Sequence, residues 1–210
     1  MKKINFILSL LLLWIVGATN AGAVITDNYK EVFDTPIDTS DPEFIPALGW
    51  GHYTEGFEKN EAGALFHPAY EWYDKGFTID GVDYSYIYVP SQQGKDAYGG
   101  YQCDNDMLIT PLIYGKSSFY AKAVSYSYFL RIYKMKEKDG KWVPDGEPIA
   151  DLTSQLDRSN IKKMEIPEVD GERLGIYANK VQFSVFEADQ VVIPETKQLL
   201  LFGISSLDKY

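Results

Sequence analysis

Tyr98-Gly99-Gly100-Tyr101 places two phenol rings on a glycine-flanked segment, a pattern that predicts exposed rings in a loop between strands. Sugar rings stack on exposed Tyr and Trp faces through C–H contacts, with hydrogen bonds at the rim, so this pair is the leading candidate ligand contact. Trp72-Tyr73 joins it as a second candidate. Both belong to a dense aromatic run, in which Trp50, Tyr53, Phe57, Phe66, Tyr70, Trp72, Tyr73, Tyr84, Tyr86, Tyr88, Tyr98 and Tyr101 fall within about fifty residues. The same residue types form strands and fill cores, and large aromatics are mostly buried. Trp50 and Trp72 are therefore expected in a core first and on a ligand platform second.

Other chemistry finds less support. His52 and His67 have no Cys partner at metal-ligand spacing, so a zinc site is not expected. Cys103 is the single cysteine and has no recognisable base beside it, which suits a small apolar residue better than a nucleophile. Glycan hydrolysis would need two carboxylates facing each other across a cleft. Acids are frequent between Glu55 and Asp106, but a chain with 30 Asp and Glu produces such clusters by chance. Asp104 and Asp106 share a face if extended, the usual look of a solvated strand end. Neither a phosphate-binding glycine loop nor a G-x-S-x-G elbow is present. No catalytic residue is assigned, and the chain is expected not to be an enzyme.

Charge narrows the partners. With 20 Lys and Arg against 30 Asp and Glu the net charge is −10, which repels phosphate backbones and argues against nucleic acid. Met1-Lys2-Lys3, the apolar run Ile4 to Val16 and the A-x-A arrangement at Ala21-Gly22-Ala23 form a secretory leader, with cleavage expected after Ala23. A run of 13 apolar residues is too short for a membrane span, which needs ~20. Loss of Lys2 and Lys3 with the leader takes the charge to −12. The mature chain is thus expected to be secreted, at the cell surface or in the periplasm, without a membrane span. One cysteine allows no internal disulfide, so core size must supply the stability.

The elements that would position these residues read as strands. Asp-Gly occurs at 80–81, 139–140, 145–146 and 170–171, supplying the positive φ that tight turns require. Phe77-Thr78-Ile79 and Val82-Asp83-Tyr84 flank the first pair, and Lys134 to Lys138 and Lys141 to Val143 the second, which predicts two hairpins. Period-two alternation appears in Phe119 to Ala123, Tyr128 to Lys134, Arg173 to Ala178 and Val181 to Val185, with Asn179-Lys180 as a tight turn between the last two. Tyr84 to Val89 is aromatic and β-branched on both faces. One short helical turn is expected within Asp151 to Ser159, capped by Asp151 or Thr153. Roughly ten strands without a long amphipathic helix predict an all-β, antiparallel sandwich or barrel.

Several short motifs recur in one order. Asn105-Asp106-Met107-Leu108-Ile109-Thr110-Pro111 resembles the D-x-L-I-T-P signature of the MAM-like, choice-of-anchor J or cleaved-adhesin jelly rolls of exported bacterial surface proteins. Ser118 to Lys122 and Leu130-Arg131-Ile132-Tyr133 are similar to the strands that follow it there. Glu31-Val32-Phe33 and Pro46-Ala47-Leu48-Gly49-Trp50 resemble the opening E-x-F and P-x-G-W segments, the latter with one extra residue. Arg173-Leu174-Gly175-Ile176 with Val181 to Phe186 resembles the closing hairpin. The resemblance implies an antiparallel two-sheet jelly-roll sandwich over residues 24–189. It also implies that residues 190–210 are a linker through Val191-Val192-Ile193-Pro194 plus one strand, the stub of a following module or a final strand docking back.

Jelly rolls of this general kind often hold a structural Ca²⁺ near the first and last strands, where Glu31 and Asp34 could contribute oxygens. The acidic pair that often closes the family is replaced by Gln182-Phe183-Ser184-Val185-Phe186, so calcium is not indicated and no other cofactor is expected. Taken together, residues and resemblance predict a non-catalytic binding or adhesion module for an extracellular glycan or surface protein. A structural spacer without a ligand is the second reading and a glycan-cleaving enzyme the third.

Overall fold

A computed structural model describes residues 23–36, 47–53, 70–89 and 107–194 of the chain. Eleven strands are described: β1 (Ala23–Glu31), β2 (Gly51–Tyr53), β3 (Glu71–Ile79), β4 (Val82–Val89), β5 (Met107–Ile109), β6 (Leu112–Ala123), β7 (Phe129–Lys138), β8 (Lys141–Pro144), β9 (Ala150–Asp151), β10 (Lys162–Asn179) and β11 (Val181–Pro194). Residues Ile25–Ile193 pack as one compact unit. No helix among the described residues is long and apolar enough to cross a membrane.

The architecture is an all-β antiparallel sandwich of jelly-roll type. The first sheet runs β10–β6–β11–β4–β3, with β1 paired to β11; the second runs β2–β5–β10–β7–β8, with β9 also on β7. β10 belongs to both. Its first part, Lys162 to Glu172, pairs with β6, and its last part, Arg173 to Asn179, pairs with β7. The corner is Asp170-Gly171, where Gly171 has φ +75° and the β6 register slips by one residue. Positive φ favours glycine, and here it forms a bulge inside a strand instead of the turn that Asp-Gly predicts.

Two further expectations are corrected. Arg173 to Ile176 and Val181 to Phe186 are not a hairpin: the former pairs with β7 and β5, while β11 pairs with β6 and β4. Lys180, at φ +54°, instead carries the chain from one sheet to the other. Val191 to Pro194 is not a connection either. It completes β11, with Val191 opposite Ile113 and Val192 opposite Leu112, because Val191 and Ile193 alternate into the core.

The hairpins at Asp80-Gly81 and Asp139-Gly140 form as read, with positive φ at all four residues. The short helical turn forms at Thr153–Gln155. Asp151 Oδ1 accepts the Thr153 N–H, while the Thr153 hydroxyl accepts from Leu130 N, tying the turn to β7.

Alternation places one face of each sheet in a common core. Phe119, Ala121 and Ala123 of β6, Ile87 and Val89 of β4, and Phe183 of β11 meet Leu108, Leu130, Ile132, Leu174 and Ile176 of the second sheet. Phe33 and Trp50, from the two opening motifs, join them edge to face at 5.2 Å, and Trp50 meets Phe186 at 5.1 Å. Such pairs add about 0.5–1.5 kcal/mol each beyond their buried area. Trp50 is a core residue, and its indole N–H is satisfied by the buried Tyr29 hydroxyl at 3.0 Å. Thr110 of the Leu-Ile-Thr-Pro motif is buried too. Its hydroxyl accepts from Leu174 N and donates to Pro111 O, locking β5 onto β10.

Candidate functional site

The residues that alternate away from the core decide what each sheet shows to solvent. On the first sheet these include Tyr84, Tyr86 and Tyr88 of β4, Ser118, Tyr120 and Lys122 of β6, and Lys163 and Glu165 of β10. A flat sheet would leave β3 and β6 three strands apart. Yet Gly76, Thr78 and Ile79 of β3 line the same hollow as Tyr120 and Lys122 of β6. The far end of the β3–β4 hairpin therefore leans over the outer face.

Glycine causes the lean. Between Tyr73 and Phe77, β3 advances four residues while its partner advances two, from Tyr86 to Tyr84. Gly76 stands at φ +115°, a region that side chains rarely adopt. Asp83 fixes the distortion by accepting the Gly76 N–H at 2.9 Å and the Thr78 hydroxyl at 3.3 Å. Beyond the bulge Phe77 turns to the outer side, buried against Tyr86 at 5.9 Å.

Outward residues of β6 line two hollows, of which the leaning hairpin walls the first. One, of about 500 Å³, lies between the hairpin end and Ser159-Asn160-Ile161, with Tyr120 and Lys122 among its lining. The other, of about 400 Å³, holds Lys116, Ser118, Lys163, Glu165 and Glu187, with Lys30 of β1 and Asp189 at its border. Lys163 joins them, lying 5.9 Å above the Tyr120 ring. Both hollows lie along the outer face of β6, a groove in two parts. From Lys116 to Lys122 that strand rises ~20 Å at ~3.3 Å per residue.

The charges at the β1, β10 and β11 side of the groove are paired. Glu187 lies between Lys30 at 3.4 Å and Lys163 at 3.2 Å. Burial acts to lower the Lys163 pKa, but the Glu187 hydrogen bond and the nearby carboxylates outweigh it, and the result is raised. Asp189 Oδ2 accepts the Lys116 N–H at 2.9 Å beside Gly115, at φ +86°. Counted over both hollows, Lys30, Lys116, Lys122 and Lys163 face four carboxylates, with Asp80 and Glu165 beside Glu187 and Asp189. The groove is neutral in a chain of net charge −10.

Sequence candidates fall unevenly around this groove. Tyr98 and Tyr101 lie outside the described residues. Tyr73 stands on the outer face at the β3 edge, stacked on Tyr86 at 5.0 Å and 8°, outside both hollows. Its hydroxyl donates to Glu71 at 2.6 Å; that bond, with burial and the carboxylate charge, pushes the phenol up to about 12. Trp72 faces inward, packed against the core, and its indole N–H donates to Phe33 O at 2.7 Å. Glu31 already accepts from Phe33 N and from the Tyr29 hydroxyl, and Asp34 is exposed three residues on. No group of three or more His, Cys, Asp or Glu able to hold a metal occurs among the described residues.

Tyr120, Lys122, Lys163 and Glu187 were not singled out by sequence. The available signal was the alternation of Tyr120 and Lys122 with Phe119, Ala121 and Ala123, which already turned both outward.

No family model matches the chain, and no curated protein matches it at a significant level. Among solved structures it is similar to one titled "CBM4 structure and function", at 16% identity and a TM-score of 0.35, over 78% of this chain and 97% of that one. It is also similar to the family 11 carbohydrate-binding module of the cellulosomal cellulase Lic26A-Cel5E of Clostridium thermocellum, at 15% identity and a TM-score of 0.33, over 84% of this chain and 96% of that one. Likenesses at these scores carry no weight for the ligand.

Proposed function

We propose that this protein is an exported, non-catalytic module that binds a neutral glycan chain in the groove of the first sheet. One observation carries the reading: a groove walled by the Gly76-bent hairpin and floored by Tyr120, with lysines and carboxylates in balance. Carboxylates and ammonium groups at close spacing hydrogen-bond the hydroxyls of an uncharged sugar, and an aromatic face covers its C–H surface. A uronate or sulfated chain would find no net attraction in the balanced groove and would be repelled by a chain of net charge −10.

Catalysis is disfavoured on the same residues. A glycosidase acid must be kept protonated by an apolar setting, whereas Glu187 lies between two ammonium groups. The leader at residues 1–23 supports export to the cell surface, periplasm or medium. The ordered MAM-like motifs support a surface-module role, and no calcium is included in the reading.

Affinity electrophoresis of the purified protein through gels containing neutral or acidic polysaccharides tests this. Retardation by a neutral polysaccharide is expected, reduced about tenfold in affinity by Tyr120→Ala, the equivalent of ~1.4 kcal/mol. Retardation by acidic polysaccharides only, or none by any, overturns the reading.

A further inference from the structure

Tyr126 has 70% of its surface in solvent, the most open of the large hydrophobic side chains among the described residues. A single exposed tyrosine on a loop is ordinary surface. This one is held. The guanidinium of Arg158 lies 3.9 Å from its ring centroid, within stacking distance, so one face is backed and the other is open.

The backbone on both sides is fastened. Val124 N donates to Lys180 O at 2.9 Å, and Asn179 Nδ2 donates to Ser127 O at 2.6 Å, anchoring the segment that carries the ring. Arg158 sits in a turn closed by Asp157, whose carboxylate accepts from Ser159 N at 2.6 Å, Asn160 N at 3.1 Å and Asn160 Nδ2 at 3.1 Å. That turn is tied to β6 by Ala123 N donating to Asp157 O at 3.0 Å. Lys122, beside Ala123, and Ser159, beside Arg158, both line the larger hollow. The two segments that carry Tyr126 and Arg158 thus continue directly from residues lining that hollow, and the backing of the ring lowers the entropic cost of stacking on it.

We infer that Tyr126, backed by Arg158, is the end platform of the groove and stacks one pyranose ring of the neutral glycan chain lying along β6. This rests on the reading of the groove as a glycan site. The negative π face of the phenol ring meets the C–H face of the sugar, and Arg158 holds the plane at which they meet. Stacking requires the ring and not its hydroxyl.

The test is calorimetric binding of the retarding polysaccharide to the wild type and to Tyr126→Ala, Tyr126→Phe and Arg158→Ala. Melting temperatures show that each variant is folded. Tyr126→Ala is expected to weaken binding about tenfold, Arg158→Ala about threefold, and Tyr126→Phe less than twofold. Unchanged affinity in Tyr126→Ala overturns the platform and leaves the groove reading standing. Tyr126→Phe as weak as Tyr126→Ala overturns stacking as its mechanism. No binding of any neutral polysaccharide to the wild type overturns the groove reading and the platform with it.

Discussion

Both outer faces of the sandwich are rich in rings, yet they are built to opposite ends. On the first sheet, the bulge at Gly76 bends a hairpin over the face, and space remains between the rings and the charged side chains of β6, β10 and β11. On the second, Phe129 meets Tyr177 at 4.6 Å, Tyr133 meets Tyr177 at 6.2 Å, and Arg131 and Arg173 lie over Phe129 and Trp142. Gly175 leaves the centre of that face without a side chain, and the sulfurs of Met135 and Met107 fill it, 2.6 and 3.1 Å from where a Cβ would stand. Met107, Ile109 and Met135 are buried there although they point away from the main core. One glycine bends a strand and opens a face; the other lets flexible side chains close one.

The largest expected effect comes from the bending glycine. Gly76→Val imposes a β-branched residue at φ +115°, a strain of ~1–3 kcal/mol that lowers Tm by roughly 2–12 °C. It should also abolish retardation in neutral polysaccharide gels. Gly175→Ala displaces only flexible methionine side chains, so a loss below ~1 kcal/mol with unchanged retardation is expected. Equal consequences at the two glycines would break the contrast between the faces.

Next comes the packed face itself. Tyr177→Ala removes a half-buried ring with two aromatic neighbours and should cost ~1–3 kcal/mol of stability, below the value for a fully buried ring. Denaturant melts would register that loss while glycan affinity stays constant, the reverse of Tyr120→Ala. A drop in affinity for Tyr177→Ala would move the binding face to the second sheet.

The smallest effect is a titration. Tyr73 donates to Glu71 as a neutral phenol, and its folded pKa of about 12 lies above the unfolded value of ~10. The stability it contributes is therefore fully present below pH ~10 and lost as pH rises through 12. Spectrophotometric titration should show Tyr73→Phe removing a late phenolate step. Removal of a step near pH 10 would show that the Glu71 bond is not formed.

Local order was legible in the sequence wherever one residue type decides the backbone. Asp80-Gly81 and Asp139-Gly140 turned as read because two successive positive φ angles leave few alternatives. Asp170-Gly171 did not, since a bulge demands the same φ and only long-range pairing distinguishes the two. Trp50 and Trp72 were both legible as core before ligand platform, because large aromatics are mostly buried, and both pack inward. The groove was not legible: it depends on Gly76, Asp83, Tyr120 and Ser159 meeting across strands remote in sequence. Alternation in β6 showed which way Tyr120 points and was silent about what stands opposite it.

β10 gives its first part to one sheet and its last to the other, turning at Gly171. Neither layer can be completed until this single segment has found partners in both, so the sandwich has no independent half to fall back on. Unfolding should then proceed as one all-or-none step. Folding should be slow for a chain of this length, since contacts distant in sequence must close before either layer repays their entropy. Amide protons of β10 would exchange only with the molecule as a whole, which makes that strand the slowest-exchanging clock in the protein.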